Sequence, residues 1–206
     1  MKRTVLYVHG KGGSADEADR YKALFPDCDV VGSDYRGEMP WEVKEELLSE
    51  YRRLAARSDR LIVIANSIGA YFVMNALSGE RIERAFFISP VVDMEKLITA
   101  MMDAAGVDEE ELKTKKEIET PFGERLSLNY LRYVREHPLV WTVPTEILYG
   151  EKDALISLET VSSFTKKHDA ALTVMKNGEH WFHTEEQMAF LDGWIRERMV
   201  KNAKRG

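Results

Sequence analysis

Short runs of apolar residues alternate with longer stretches in which apolar positions recur every three or four residues. The runs are Val5–Val8, Val30–Val31 with its flanks, Leu61–Ala65, Ala85–Ile88, Glu146–Tyr149 and Leu172–Met175. They are near-continuous in Val, Ile and Leu rather than strictly alternating, which is the pattern of strands covered on both faces. Such runs separated by helical patterns predict parallel βαβ units. The helical stretches carry start signals of their own. Ser14-Ala15-Asp16-Glu17 reads as a capping box, in which Ser14 accepts from an early backbone N–H and Glu17 reaches back. Pro40 suits the first turn of the next helix, where Val43, Leu47, Tyr51 and Leu54 share one face. Residues 68–77 are apolar nearly all round, as in a helix buried against a sheet. Thr184-Glu185-Glu186-Gln187 is a second capping box, opening a helix with Met188, Leu191, Ile195 and Met199 inward.

One stretch breaks the rhythm. Residues from about 92 to 140 have helical composition and no strand pattern. A structureless connection of that length is uncommon in a compact domain, so the stretch reads as an inserted helical cap. The expected architecture is α/β: one domain over residues 1–206, with a mostly parallel sheet of about six strands, helices on both faces and the cap at about 92–140. A chain of 206 residues is long enough to bury a full core.

Composition narrows the functional classes. The 44% hydrophobic and 31% charged fractions are those of an ordinary globular protein. A net charge of −6 leaves no basic footprint for nucleic acid or anionic lipid, and Lys201, Lys204 and Arg205 read as a solvated tail. The single cysteine, Cys28, rules out an intrachain disulfide and fits a reducing compartment. Its flanking Asp27 and Asp29 are expected to raise the thiol pKa, against a role as nucleophile. The run Val5–Val8 is cut short by His9, too early for a signal-peptide core, and no run reaches membrane-spanning length. The expected location is the cytoplasm.

Four patterns carry chemistry. Ala65-Asn66-Ser67-Ile68-Gly69 follows the run at Leu61 and opens the apolar helix. A nucleophile on a tight strand-to-helix turn needs small neighbours, because the backbone there is strained and closely packed; the competing reading is a helix N-cap serine. His9-Gly10-Lys11-Gly12-Gly13-Ser14 follows the first run, and its glycines let the backbone turn and present N–H groups. The Lys11 and Ile68 amides are the candidate oxyanion donors. Neither nucleotide-binding glycine fingerprint is met, and His9 reads as a structural residue. Tyr149-Gly150-Glu151-Lys152-Asp153 places a carboxylate past a strand end, with Glu151 and Asp93 as rivals; Asp93 also suits a helix N-cap. Asn177-Gly178-Glu179-His180 follows the last run, with His183 as the alternative base. Nucleophile-elbow hydrolases need the order Ser, Asp, His, each after a successive strand end.

On these residues the chain resembles a small member of the α/β-hydrolase superfamily over nearly its whole length. Asp34-Tyr35-Arg36-Gly37 is similar to a turn common in that superfamily. The resemblance implies Ser67 as nucleophile, His180 as base, Asp153 as acid and the His-Gly loop as oxyanion loop. Two features depart from it: Ala65 stands where glycine is usual, and the N-terminal antiparallel hairpin is missing. The implied chemistry is cleavage of an ester or thioester of a small to medium acyl substrate through an acyl-enzyme. An amidase, peptidase or acyltransferase with the same triad, or a non-catalytic binding module, are the alternatives. No metal or organic cofactor is expected, as there is no H-E-x-x-H or Cys/His cluster. Met94, Leu97, Ile98, Met101 and Met102 form one apolar stripe of the cap; Leu126, Leu128, Tyr130 and Tyr133 form another. They either pack the cap onto the sheet or wall an acyl pocket, for which Met101, Tyr130 and Trp181 are the candidate residues.

Overall fold

The computed structural model describes residues 2–203, so Lys204 and Arg205 of the basic tail lie outside the described residues. In chain order, β1 (Arg3–Val8) is followed by a 3-10 segment (Ala15–Leu24), β2 (Cys28–Gly32), α1 (Pro40–Ala55), β3 (Arg60–Asn66), α2 (Ile68–Ala76) and β4 (Arg84–Ile88). Next come α3 (Met94–Ala105), α4 (Glu109–Lys115), two short strands β5 (Glu117–Glu119) and β6 (Arg125–Ser127), and α5 (Leu128–Glu136). The rest is β7 (Thr145–Gly150), α6 (Leu158–Lys167), β8 (Ala170–Met175) and α7 (Glu185–Ala203).

The six apolar runs are the six strands of one sheet, in the order β2-β1-β3-β4-β7-β8, with every neighbouring pair parallel. Successive residues of a strand point to opposite faces, so a continuous apolar run feeds two cores. Leu6 and Val8 of β1, Val63 of β3 and Phe87 of β4 enter the core beneath α1, α2 and the inserted helices. Their neighbours Val5, Tyr7, Ile64 and Phe86 enter the core beneath the 3-10 segment and α7. The edge strands differ: β2 and β8 are mostly half-buried, and Val174 is exposed. Pro40 opens α1, and Val43, Leu47, Tyr51 and Leu54 are all buried. No helix among the described residues is long and apolar enough to cross a membrane.

Three local expectations change. Ser14 makes no side-chain cap, and its segment winds as a 3-10 helix. Glu17 instead accepts the hydroxyl proton of buried Tyr7, which satisfies that donor in the core. At α7, Thr184 Oγ1 accepts from the Gln187 amide at 3.3 Å, but the Gln187 side chain reaches the His183 amide rather than that of Thr184. The inserted region is not purely helical, since β5 and β6 form an antiparallel hairpin. Each strand has only three residues, too few and too charged to show an alternating pattern; its turn uses Gly123 at φ +82°. The insertion lies on the α1–α2 side, where Tyr130 meets Tyr71 with ring centroids 6.4 Å apart and Tyr133 meets Trp41 at 5.5 Å. Asp93 caps α3, its Oδ1 accepting from the Lys96 amide at 2.9 Å.

Phe86 is fully buried and packs edge-on against Phe25 and Trp194. Phe86→Ala is expected to cost about 3–5 kcal/mol in urea unfolding, through lost transfer energy and the cavity left behind. Asp93→Ala, which removes only a cap, is expected to cost about 1 kcal/mol.

Candidate active site

The nucleophile candidate sits between β3 and α2 in a conformation that side chains rarely adopt: Ser67 has φ 52° and ψ −122°. Such a conformation costs on the order of 1–3 kcal/mol and persists only where its surroundings enforce it. Here the Ser67 amide donates to the Ile88 carbonyl at 2.9 Å, and its carbonyl accepts from the Ala70 and Val91 amides at 3.2 and 3.0 Å. Gly69 lets α2 press against the end of β1, since a Cβ there would lie 2.5 Å from the His9 carbonyl oxygen. Ala65 replaces the usual glycine without conflict because it is an ordinary β3 residue, buried and paired between β1 and β4.

Across the cleft, Ser67 Oγ lies 2.9 Å from His180 Nε2, and His180 Nδ1 lies 2.7 Å from Asp153 Oδ2. The Asp153 side chain is fully buried, and its other oxygen accepts from the Leu155 and Ile156 amides at 2.8 and 3.0 Å. Those amides compensate the burial of a carboxylate. The loops bearing Asp153 and His180 touch directly: a Cβ on Gly150 would lie 2.4 Å from the Glu179 carbonyl oxygen. The Lys152 amide donates to the Gly178 carbonyl at 2.7 Å, and the Glu151 carboxylate accepts from the Asn177 amide at 2.8 Å. Glu151 therefore ties the two loops together, while Asp93 is occupied as the α3 cap.

The glycine loop closes the third side. Gly13 donates to the Gly10 carbonyl at 3.1 Å, and a Cβ on Gly10 would lie 3.1 Å from the Ser67 Cβ. The Lys11 and Ile68 amides have no acceptor among the described residues. His9 is structural: its ring stacks on Tyr35 at 4.2 Å, and the Tyr35 hydroxyl donates to the His9 carbonyl at 3.0 Å. The Asp34–Gly37 turn thus buttresses the loop from behind. A cavity of about 430 Å³ opens here, lined by Gly10–Gly13, Glu17, Asn66, Ser67, Leu155, His180 and Trp181.

Two of the candidate substrate residues lie elsewhere. Met101 and Tyr130 do not line this cavity; both pack against the core on the α1–α2 side, where the Tyr130 ring meets Tyr71 of α2. Burial pushes the Tyr130 hydroxyl pKa up, so it stays protonated there. Trp181 does line the cavity and is 68% exposed. His183 does not line this cavity, and its Nδ1 lies 2.8 Å from the Trp181 carbonyl. The Cys28 thiol pKa is raised chiefly by burial, opposed by Arg3 and helped more weakly by Asp27. Glu17, Asn66 and Leu155 also line the cavity; the sequence patterns assign Glu17 only a capping role, carry Asn66 only as a neighbour of Ser67 and leave Leu155 unmarked, although a Tyr7 hydroxyl near a strand end points to a buried donor needing a partner. Among the described residues no group of three or more His, Cys, Asp or Glu side chains converges as a metal site.

No family model and no curated protein matches the chain in sequence. Solved structures match it in fold. Alpha/beta hydrolase domain-containing protein 10 from mouse is 16% identical, with 96% of this chain and 90% of that one covered at a TM-score of 0.77. An esterase from Pyrococcus furiosus is 23% identical, covering 99% and 81% at 0.64. The type II thioesterase of the borrelidin biosynthetic cluster is 17% identical, covering 95% and 92% at 0.58. The fold is that of the α/β hydrolases.

The His180–Asp153 contact has a spectroscopic check. An imidazole N–H held by a buried carboxylate is expected to give a low-field proton resonance, lost in Asp153→Asn. Gly150→Ala, which forces the two loops apart, is expected to weaken or remove the same resonance and to cost about 1–3 kcal/mol through overpacking.

Proposed function

We propose that this α/β-hydrolase-fold chain is a serine hydrolase that cleaves an ester or thioester of a small to medium acyl substrate. The hydrogen-bonded chain from Ser67 Oγ through His180 to buried Asp153 carries the reading, because the Ser67–His180 link has the length proton transfer needs and the His180–Asp153 link has the length that holds the imidazole in place. With Nδ1–H donating to Asp153, the Nε2 lone pair faces Ser67. His180 takes the hydroxyl proton as Ser67 attacks the carbonyl, then returns it to the leaving group. Asp153 orients the imidazole and stabilises its cation without taking the proton. The Lys11 and Ile68 amides stabilise the oxyanion, and water activated by His180 releases the acid. No step calls for a cofactor. The lone cysteine and acidic charge favour a cytoplasmic location and a small-molecule substrate.

A non-catalytic module would have no use for the strained Ser67 turn, which costs stability. A fluorophosphonate probe is expected to label the wild type and not Ser67→Ala, and turnover of a neutral ester is expected to fall by about 10⁴ or more. Labelling of Ser67→Ala at wild-type level would remove Ser67 from the role.

His180→Ala is expected to abolish turnover while His183→Ala, outside the hydrogen-bonded chain, keeps most of it. Asp153→Asn is expected to lower kcat by roughly 10⁴, since its amide favours the wrong imidazole tautomer. Asp93→Asn, which can still cap α3, is expected to keep near-normal turnover. Kinetics on the purified variants distinguish these assignments from a triad built on His183 or Asp93.

A further inference from the structure

A second cavity of about 370 Å³ adjoins the catalytic one, and Glu17, Asn66 and Trp181 line both. Resting on the reading of Ser67 as nucleophile, we infer that this second cavity is the leaving-group subsite and that it selects an apolar alcohol carrying a positive charge, recognised by Glu17.

The position follows from His180. The base must return its proton to the leaving atom, so that atom comes within hydrogen-bond reach of Nε2 in the transition state. The rest of the leaving group then extends past the base. Trp181, Phe182 and His183, the residues that follow His180, wall the second cavity. The Gly10–Gly13 loop and Leu155 lie in the catalytic cavity and outside the second one, on the side left for the acyl group.

The chemistry of the walls indicates what fits. Ile88, Met188 and Leu191 supply apolar surface, and Trp181 offers an exposed indole whose ring contact is a stack on His183 at 4.7 Å. An apolar or aromatic body suits such surroundings, and an indole face attracts a cation.

The charges set the sign. Apart from the histidines, the charged residues lining the two cavities are Lys11, Asp16, Glu17 and Arg20. Both cations are already satisfied from outside the cavities: Lys11 by Glu124, and Arg20 by Asp192 at 2.6 Å. Among the described residues no cation pairs with Glu17, and its carboxylate accepts from the Tyr7 hydroxyl. Burial raises the Tyr7 pKa, so Tyr7 remains a donor and keeps the carboxylate oriented at the junction of the two cavities. Asp16 adds a further negative charge on the wall of the second cavity. A cationic leaving group meets a fixed, uncommitted carboxylate, while a phosphate-bearing one, such as a pantetheine arm, meets repulsion. Esters of cationic alcohols are therefore favoured over thioesters of phosphorylated carriers.

The test uses butyrate esters of three para-substituted phenols: trimethylammoniomethyl (cationic), ethyl (neutral) and carboxymethyl (anionic). Each kcat/KM is divided by the ester's rate of spontaneous alkaline hydrolysis. Wild type is expected to prefer the cationic over the anionic ester by roughly tenfold or more, and Glu17→Gln, whose amide oxygen can still accept from Tyr7, is expected to reduce that ratio roughly tenfold. Asp19→Asn changes a charge on the same 3-10 segment, paired with Lys22 and outside both cavities, and is expected to leave the ratio unaltered. A second arm needs no turnover: binding of the free cationic phenol is followed by quenching of Trp181 fluorescence, with Trp181→Phe as the signal control and weaker binding expected in Glu17→Gln. Turnover without charge preference, or a preference that Glu17→Gln and Asp19→Asn alter equally, overturns the subsite. Saturable binding that depends on Glu17, with no turnover of any ester, upholds the subsite and overturns the hydrolase reading. Absence of both binding and turnover overturns both.

Discussion

Ser67 stands at φ 52°, where its own Cβ is an obstacle, and the surrounding structure is arranged to enforce that geometry. The end of β4 supplies the restraint on both sides, through the Ile88 carbonyl and the Val91 amide. The neighbouring glycines permit it: Gly69 lets α2 start against the end of β1, and Gly10 lets the following loop turn within van der Waals range of the serine. A Cβ at Gly69 would require a backbone to move, because it would meet the Val8 and His9 carbonyl oxygens, while one at Gly10 would press on the Ser67 Cβ. The turn thus draws its geometry from β1, β3 and β4, which are neighbours in the middle of the sheet.

The same logic of close backbone approach governs the other half of the site. β7 and β8 are adjacent, so the loops after them leave the sheet side by side. Gly150 and Gly178 remove the side chains that would hold those loops apart, and amide-to-carbonyl bonds plus the Glu151 carboxylate fasten them. Asp153 and His180, 27 residues apart in sequence, then meet at 2.7 Å. The two amides on the far oxygen of Asp153 matter as much as the histidine, since a buried carboxylate with an unfilled acceptor would be costly. Preorganisation of this kind lets the imidazole be held before any substrate arrives.

Charge at the site follows from partners as much as from residue type. Lys11 lies in the glycine loop, yet its ammonium is taken up by Glu124 on the inserted hairpin. Arg20 is likewise taken up by Asp192 on α7. Glu17, which the local pattern assigns to a helix cap, stands at the cavity junction and accepts from the Tyr7 phenol. A cleft that counts as mixed in its residue list is thereby acidic in its field.

Much of the architecture was legible in the sequence because local periodicity controls it. Continuous apolar runs can be buried only where both faces of a strand are covered, so the six runs became one parallel sheet. The α1 face, the Pro40 start and the Asp93 cap depend on residues within a few positions of each other, and all can be read directly. The order of Ser67, Asp153 and His180 after successive strand ends was equally visible, since a parallel sheet delivers those ends to one edge. Tertiary structure alone decided the rest. The β5–β6 hairpin has strands of three residues, below the length at which alternation registers. Tyr130 and Met101 share a face with core residues, and whether such a face meets a sheet or a ligand depends on where the helix is laid down. The choice of Asp153 over Asp93 and Glu151 as the partner of His180, and the release of Glu17 from its cap to Tyr7, rest on contacts between segments distant in the chain or facing from different elements. Short-range patterns determine which elements form and which faces are apolar; only packing determines which polar atoms end up within hydrogen-bond reach.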